Sequence, residues 1–321
     1  MLRANTTFVL GAGASCCFGF PTGSELSREI CGLTRAYPKE KKVRAFSAAT
    51  TLLGIYSEPF FASFQESGTH SIDAFLARRD IFSDAGKAAI AAYLLDCEKP
   101  EKLFSVDGKA NNSDWYGYLW SRMYDQVNDV ADLVVNNNVS FITFNYDRSL
   151  ELFLHTAIKN TYGLTADLAY EISSQFPIHH VHGHLGKFGP ETSFRYGLVE
   201  EEPRALGNRM ASAVKSLRVI PADRADEIDS NAFDLLWQAE NIIFLGYGFD
   251  NQNNDRLGIR KLISRKSDEG LNQPHIFATT LGMKNKEREY AFNSIADSRA
   301  DLIHYSSQTC YESLREWGVL L

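Results

Sequence analysis

The segment Phe141-Ile142-Thr143-Phe144-Asn145-Tyr146-Asp147 is an apolar run that stops at two polar side chains. An uncharged amide such as Asn145 can hold a hydroxyl or a water through donor and acceptor bonds, and both Asn145 and Asp147 are also suited to capping a following helix. A second segment, Ile178 to Gly186, carries four imidazoles at His179, His180, His182 and His184. Alternation on a strand would place His180, His182 and His184 on one face, which superficially suits a metal. Alternate strand positions rarely converge three ring nitrogens on one ion, and no fourth ligand accompanies them, so no metal site is expected. A His followed by Gly at a strand end instead offers a group that titrates near neutral pH and that a ligand can approach closely.

Glycine marks two further endings. Thr7-Phe8-Val9-Leu10 runs into Gly11-Ala12-Gly13-Ala14-Ser15, and Ile242-Ile243-Phe244-Leu245 into Gly246-Tyr247-Gly248-Phe249-Asp250. A strand entering Gly-x-Gly can turn tightly and aim its N–H groups at a pyrophosphate, although the same residues also serve a plain strand-to-helix turn. The pattern departs from the dehydrogenase fingerprint, since Cys16 occupies the third glycine position and no strand with an acidic end follows roughly 20 residues on. A second turn, Phe18 to Gly23, is placed to fold over a bound ligand.

These endings need a scaffold. Residues 24–135 read as helical: Ser24 as an N-cap, Ser71-Ile72-Asp73 as a helix start, Asp84 to Cys97 as an Ala-rich helix with Ile90, Tyr93, Leu94 and Cys97 on one stripe, and Asp114 to Val135 as one long amphipathic stretch. The aromatic cluster Trp115, Tyr116, Tyr118 and Trp120 suits a core or a subunit contact, and 106–113 reads as a polar surface connection. From Val139 short apolar runs alternate with helical patterns. The expected strands are Ser140–Phe144, His179–His182, Asn241–Tyr247, His275–Thr280 and Leu302–Tyr305. The expected helices are Arg148–Lys159, Ala232–Glu240, Asp255–Ser264, Lys284–Ala296 and Tyr311–Trp317. The fold class that follows is α/β: a Rossmann-like parallel sheet formed by 1–23 and 136–321, with a helical insertion module at 24–135 after the first strand.

Composition narrows the function. The 321 residues are 44% hydrophobic and 23% charged, with a net charge of -7, which offers no general attraction to nucleic acid. No apolar run reaches the ~20 residues of a membrane span and none opens the chain as a signal peptide, so a cytoplasmic location is expected. The five cysteines are scattered, without a C-x-x-C pair, and are expected to be reduced.

Taken together, GAGAS with the downstream GFPTG, TFNYD, VHGHLG and FLGYGFD resemble the sirtuin-like family, in particular its bacterial domains that hydrolyse NAD. The resemblance implies that Gly11, Ala12, Gly13 and Ser15 wrap the diphosphate, and that Pro21 and Thr22 belong to a loop over the nicotinamide ribose. It further implies that Asn145 and His182 carry the chemistry, that Asp147 orients a partner or caps its helix, and that Gly246, Tyr247 and Gly248 stand at the adenosine side. The protein-deacylating members carry an aspartate and an arginine after the loop proline, where this chain has Thr22 and Gly23. They also carry a four-cysteine zinc module after the histidine, whereas no cysteine lies here between Cys97 and Cys310.

The expected activity is therefore that of an NAD nucleosidase, a hydrolase with NAD as substrate and no zinc. A zinc-free deacylase or ADP-ribosyltransferase and a non-catalytic NAD or ADP-ribose-derivative binding module are the alternatives. Family resemblance also implies a role in antiphage defence by NAD depletion. Such an activity needs a gate, and with the sheet using most of the chain the gate is expected to be assembly. That means either a homo-oligomer built through the Trp115 to Trp120 face or a separately encoded partner protein that opens the loop Phe18 to Gly23.

Overall fold

A computed structural model of the chain describes residues 1–33, 39–104, 114–189, 196–198, 202–220 and 227–321. Its six strands are β1 (Thr6–Leu10), β2 (Val139–Thr143), β3 (Ile178–His180), β4 (Asn241–Leu245), β5 (His275–Thr279) and β6 (Ile303–Ser306). They form one parallel sheet in the order β3-β2-β1-β4-β5-β6. The order reverses at β1, which pairs with β2 on one side and β4 on the other, and a ligand crevice is expected outside the carboxyl ends at that point. In register, Leu10 lies opposite Thr143 and Leu245, and Thr143 opposite His180, so the polar and glycine-rich endings emerge along one edge.

Both faces of the sheet are covered, which is why its strands are apolar runs rather than alternating ones. Phe8, Leu10, Phe141, Ile243 and Leu245 face a core shared with the helices between β1 and β2. Val9, Ile142, Ile242, Phe244, Ile276 and Ala278 face the helices of the C-terminal half. The helical insertion thus has no core of its own; it is one wall of the sheet's core. The helix Pro203–Ser216, which follows β3 in the chain, completes this layer against the helices Lys41–Leu53 and Ser83–Cys97.

Several expectations are corrected. The helix Ser83–Cys97 is buried on nearly every side, with Ala85, Ala88, Ala89, Ala91 and Ala92 all inaccessible, so alanine serves here to let neighbouring helices approach all round rather than to frame one stripe. The stretch from Asp114 divides into Trp115–Tyr124 and Ala131–Val135, because Asp125 is extended and Gln126 takes a left-handed φ of 61°. Thr22, not Ser24, caps the first helix, Gly23–Gly32. The helix expected at Asp255–Ser264 is two, Asn251–Leu257 and Ile259–Asp268, divided at Gly258, whose φ is 66°. The helices Ala166–Ser173 and Pro203–Ser216 were not expected.

Trp115, Tyr116 and Trp120 are buried, with Trp115 stacked on Phe8 and its Nε1 donating to the Ala14 carbonyl at 2.8 Å. Three of the four aromatic residues are therefore core, while Tyr118 is half-buried and meets Tyr311 edge-on. The polar stretch 106–113 lies outside the described residues.

Candidate active site

The two glycine loops meet each other before they meet any ligand. Gly11 N–H donates to the Leu245 carbonyl and Gly13 N–H to the Gly246 carbonyl, each at 3.0 Å. A Cβ on Gly11 would stand 2.5 Å from the Gly246 oxygen, and one on Gly246, whose φ is 55°, would stand 2.0 Å from the Ala14 nitrogen. The glycines are thus required for backbone to cross backbone at the switch point. Beyond them the chain forms two 3-10 turns, Ala12–Ala14 and Cys16–Phe18, rather than one long helix, and then Thr22 closes a capping box with Glu25 at the start of Gly23–Gly32.

A cavity of about 770 Å³ opens above these loops. Its walls come from the ends of all the strands, from His182 beyond β3 to Gln308 beyond β6, and five strand spacings make that edge on the order of 24 Å long. Gly11, Ala12, Gly13, Thr22, Asn145, His182, Gly246, Tyr247 and Gly248 line it; Ser15, Pro21 and Asp147 do not.

Ser15 and Asp147 instead hold Asn145. Ser15 Oγ donates to Asp147 Oδ2 at 2.9 Å and accepts from Asn145 Nδ2 at 3.0 Å, while the same Nδ2 donates to the Gly11 carbonyl at 3.0 Å. A carbonyl can only accept, so Nδ2 must face Gly11, and Asn145 Oδ1 is left without a partner among the described residues. Asp147 also accepts from Ser149 N–H at 3.1 Å at the start of the helix Ser149–Tyr162. It therefore both caps that helix and orients Ser15. Burial pushes its carboxyl above the usual range against these hydrogen bonds.

His182 follows the β3 end, where Gly183 turns with a φ of 73° and its own carbonyl accepts from Arg218 N–H at 2.8 Å. It is buried, its Nδ1 has no protein partner, and Phe144 meets its ring edge-on at 5.6 Å. Burial holds the imidazole below its ordinary value, so it is neutral at pH 7 and able to accept a proton. Tyr247 packs on Phe144 at 5.3 Å, which carries the β4 loop to the imidazole end of the cavity. Its neighbour Phe249 adopts a left-handed φ of 52°, a conformation held by packing on Phe244, Tyr247 and Phe292.

Two of the remaining imidazoles of the run are held by carboxylates of the fold. His179 pairs with Asp229 at 2.9 Å, and His180 pairs with Glu151 at 2.7 Å while donating to the Asn145 carbonyl at 3.0 Å. His184 meets His180 edge-on. Among the described residues no cluster of His, Cys, Asp or Glu is arranged to hold a metal ion.

Among the described residues the lining includes no lysine or arginine, and its carboxylates are Asp73 and Asp250. Positive potential comes from backbone instead. The helices Gly23–Gly32, Ile72–Arg78, Asn251–Leu257 and Cys310–Trp317 all begin at the wall, and helix starts and turn N–H groups favour anions such as a diphosphate. Cys16, Cys17 and Cys310 complete the floor. Burial pushes Cys16 up to about 11 and Cys310 up to about 12, so these thiols stay protonated and inert.

Sequence reasoning missed Asp73, Asn253, Thr280, Leu281 and Gln308 as wall residues. Thr280, Leu281 and Gln308 follow strand ends, which is a usable signal; Asp73 stands in a helix start 72 residues before Asn145 and carried none.

The fold and site define a parallel α/β protein with an elongated anion-suited cavity at its switch point. A family model described as SIR2-like domain matches residues 139–298, a span that holds Asn145, His182 and the Gly246–Asp250 loop, and the chain belongs to the SIR2-like family. Membership supports an NAD-related activity in general. A search of curated proteins gives no match. No helix among the described residues is long and apolar enough to cross a membrane.

Proposed function

We propose that the protein is an NAD⁺ glycohydrolase that releases nicotinamide and ADP-ribose. The observation that carries this reading is the pairing, on one cavity wall, of a partnerless amide oxygen with a neutral buried imidazole. In the reaction, the bond between ribose C1′ and the nicotinamide nitrogen breaks. Its electron pair cancels the positive charge on nicotinamide, so the leaving group needs no proton. Water oxygen bonds to C1′ through an oxocarbenium-like transition state, and the proton it loses passes to His182. Asn145 Oδ1 accepts from a ribose hydroxyl or from that water, with Ser15 and Gly11 fixing its direction. The cysteine-free interval between Cys97 and Cys310 favours hydrolysis over deacylation, since the acyl-lysine cleft of the deacylating sirtuins is built with a cysteine module.

The biological reading we attach is NAD⁺ depletion in antiphage defence, gated by homo-oligomer assembly or by a separately encoded partner. Trp115, Tyr116 and Trp120 are buried, which favours the loop Phe18 to Gly23 as the site of the gate. The test is concentrated protein with NAD⁺ alone, followed by chromatography of the products in fractions from a sedimentation run. Equimolar nicotinamide and ADP-ribose are expected from an oligomeric fraction, and His182→Ala should reduce them at least ~10²-fold. Nicotinamide released only when an acylated peptide or another acceptor is present would assign a transferase or deacylase. Tight NAD⁺ binding without turnover would assign a binding module.

A further inference from the structure

The helical insertion contributes one carboxylate to the wall that carries His182. Asp73 stands in the first turn of Ile72–Arg78, a helix capped by Ser71, whose Oγ accepts from Ala74 N–H at 3.3 Å. The Tyr146 hydroxyl, from the same segment as Asn145, donates to Asp73 Oδ1. Tyr146 is buried, its phenol is pushed far above its ordinary value and remains a neutral donor, and its ring stands 6.0 Å from that of His182. Asp73 Oδ2 has no partner among the described residues. The other acid of the wall, Asp250, is tied to its own helix, its Oδ1 accepting from Gln252 and Asn253 N–H as the cap of Asn251–Leu257, and its charge bears less on His182 than that of Asp73.

Accepting a proton turns His182 into an imidazolium inside a buried site, and that charge is costly without a counter-charge. We propose that Asp73 is the positioning residue that supplies it: anchored through one oxygen on Tyr146, it stabilises protonated His182 and so makes that histidine an effective base for the proposed hydrolysis. The groups around the imidazole agree. Burial disfavours the charged ring, the Asp73 charge favours it, and Arg256 of Asn251–Leu257 opposes it, with Asn253 of that helix and its cap Asp250 adding smaller support. The insertion is then part of the catalytic apparatus rather than only a cover, because the histidine and its counter-charge reach the cavity from different layers of the fold.

This inference rests on the glycohydrolase reading, and its test separates the two. Asp73→Asn keeps the size of the side chain and leaves the Ser71 cap in place. In protein labelled at histidine, with the His182 signal assigned by its loss in His182→Gln, NMR titration should give a His182 pKa lower by about one unit in Asp73→Asn. Tyr146→Phe, which frees the carboxylate, should shift it less and in the same direction. In the nicotinamide-release assay Asp73→Asn should lower kcat at least about tenfold, with little change in KM, and move the acidic limb of the pH profile to lower pH. An unshifted His182 titration in folded Asp73→Asn overturns the proposal. If the wild type releases no nicotinamide, the glycohydrolase reading fails, while the titration still decides whether Asp73 controls His182.

Discussion

Asn145 divides its amide between the fold and the cavity, and the division gives it a different role from that of its neighbours. Its nitrogen is tied to Gly11 and Ser15, so the oxygen is aimed before any ligand arrives, and such preorganised dipoles are the larger part of many active sites. Asn145→Ala removes the aimed oxygen and should lower nicotinamide release on the order of 10²- to 10³-fold, while thermal unfolding shifts little, since the Gly11 carbonyl keeps its bond from Ala14 N–H. Ser15→Ala removes only one of the two tethers and should cost about tenfold, as a positioning group does when its partner still binds. Steady-state kinetics of the two variants beside their melting curves decide the matter. If Asn145→Ala keeps more than a tenth of wild-type turnover, the residue is a latch between loops and not part of the chemistry.

At the level of elements, β3 and the helix Ser149–Tyr162 are joined by the pair His180 and Glu151, which also holds the Asn145 carbonyl. Burial alone would lower His180, but the charge and hydrogen bond of Glu151 and the Asn145 carbonyl raise it above its ordinary value. Burial alone would raise Glu151, but His180 lowers it. Stability from the raised histidine is fully present below its unfolded pKa of about 6.5 and is lost as pH rises through its higher folded value. Stability from the lowered carboxylate is present above about 4.3 and is lost as pH falls through its lower folded value. The pair therefore contributes most between about pH 4.3 and 6.5. The melting-temperature gap between wild type and Glu151→Gln should be widest near pH 5 to 6 and should shrink as pH rises through the raised folded value of His180. A gap that grows with pH would mean that His180 is neutral in the folded protein.

Across the whole molecule, what the sequence made legible was what a single segment decides. β1, β2 and β4 could be read because each is an apolar run that gives way to Gly or Asn, Asn145 because it stands at such a stop, and His182 because Gly183 follows it. The break at Asp125 and Gln126 was hidden because Val127 stays buried beyond it and prolongs the helical periodicity, and Ser24 masked Thr22 because both are good caps three residues before or one before an acid. Asp73 was illegible because its meaning depends on where the insertion packs. That packing is fixed by another pair of distant residues. Glu98, at the end of Ser83–Cys97, accepts from Arg148 Nε at 2.9 Å and Nη2 at 2.6 Å and from Gly197 N–H at 2.7 Å, and Arg148 directly follows Asp147. Both side chains are fully buried, so burial works against each charge and each answers the other. Glu98→Gln would set an amide donor against these donors and remove the carboxylate that answers the buried guanidinium, a change that typically costs about 3–5 kcal/mol in unfolding free energy. Denaturant titration should find that loss, and Arg148→Met added to Glu98→Gln should recover part of it, because the double variant leaves no buried charge in need of a counter-charge. Because the pair ties the insertion to the Asn145 loop, Glu98→Gln should also lose nicotinamide release under conditions where it is still folded. A loss of stability below about 1 kcal/mol would mean that Glu98 is not the group that compensates Arg148.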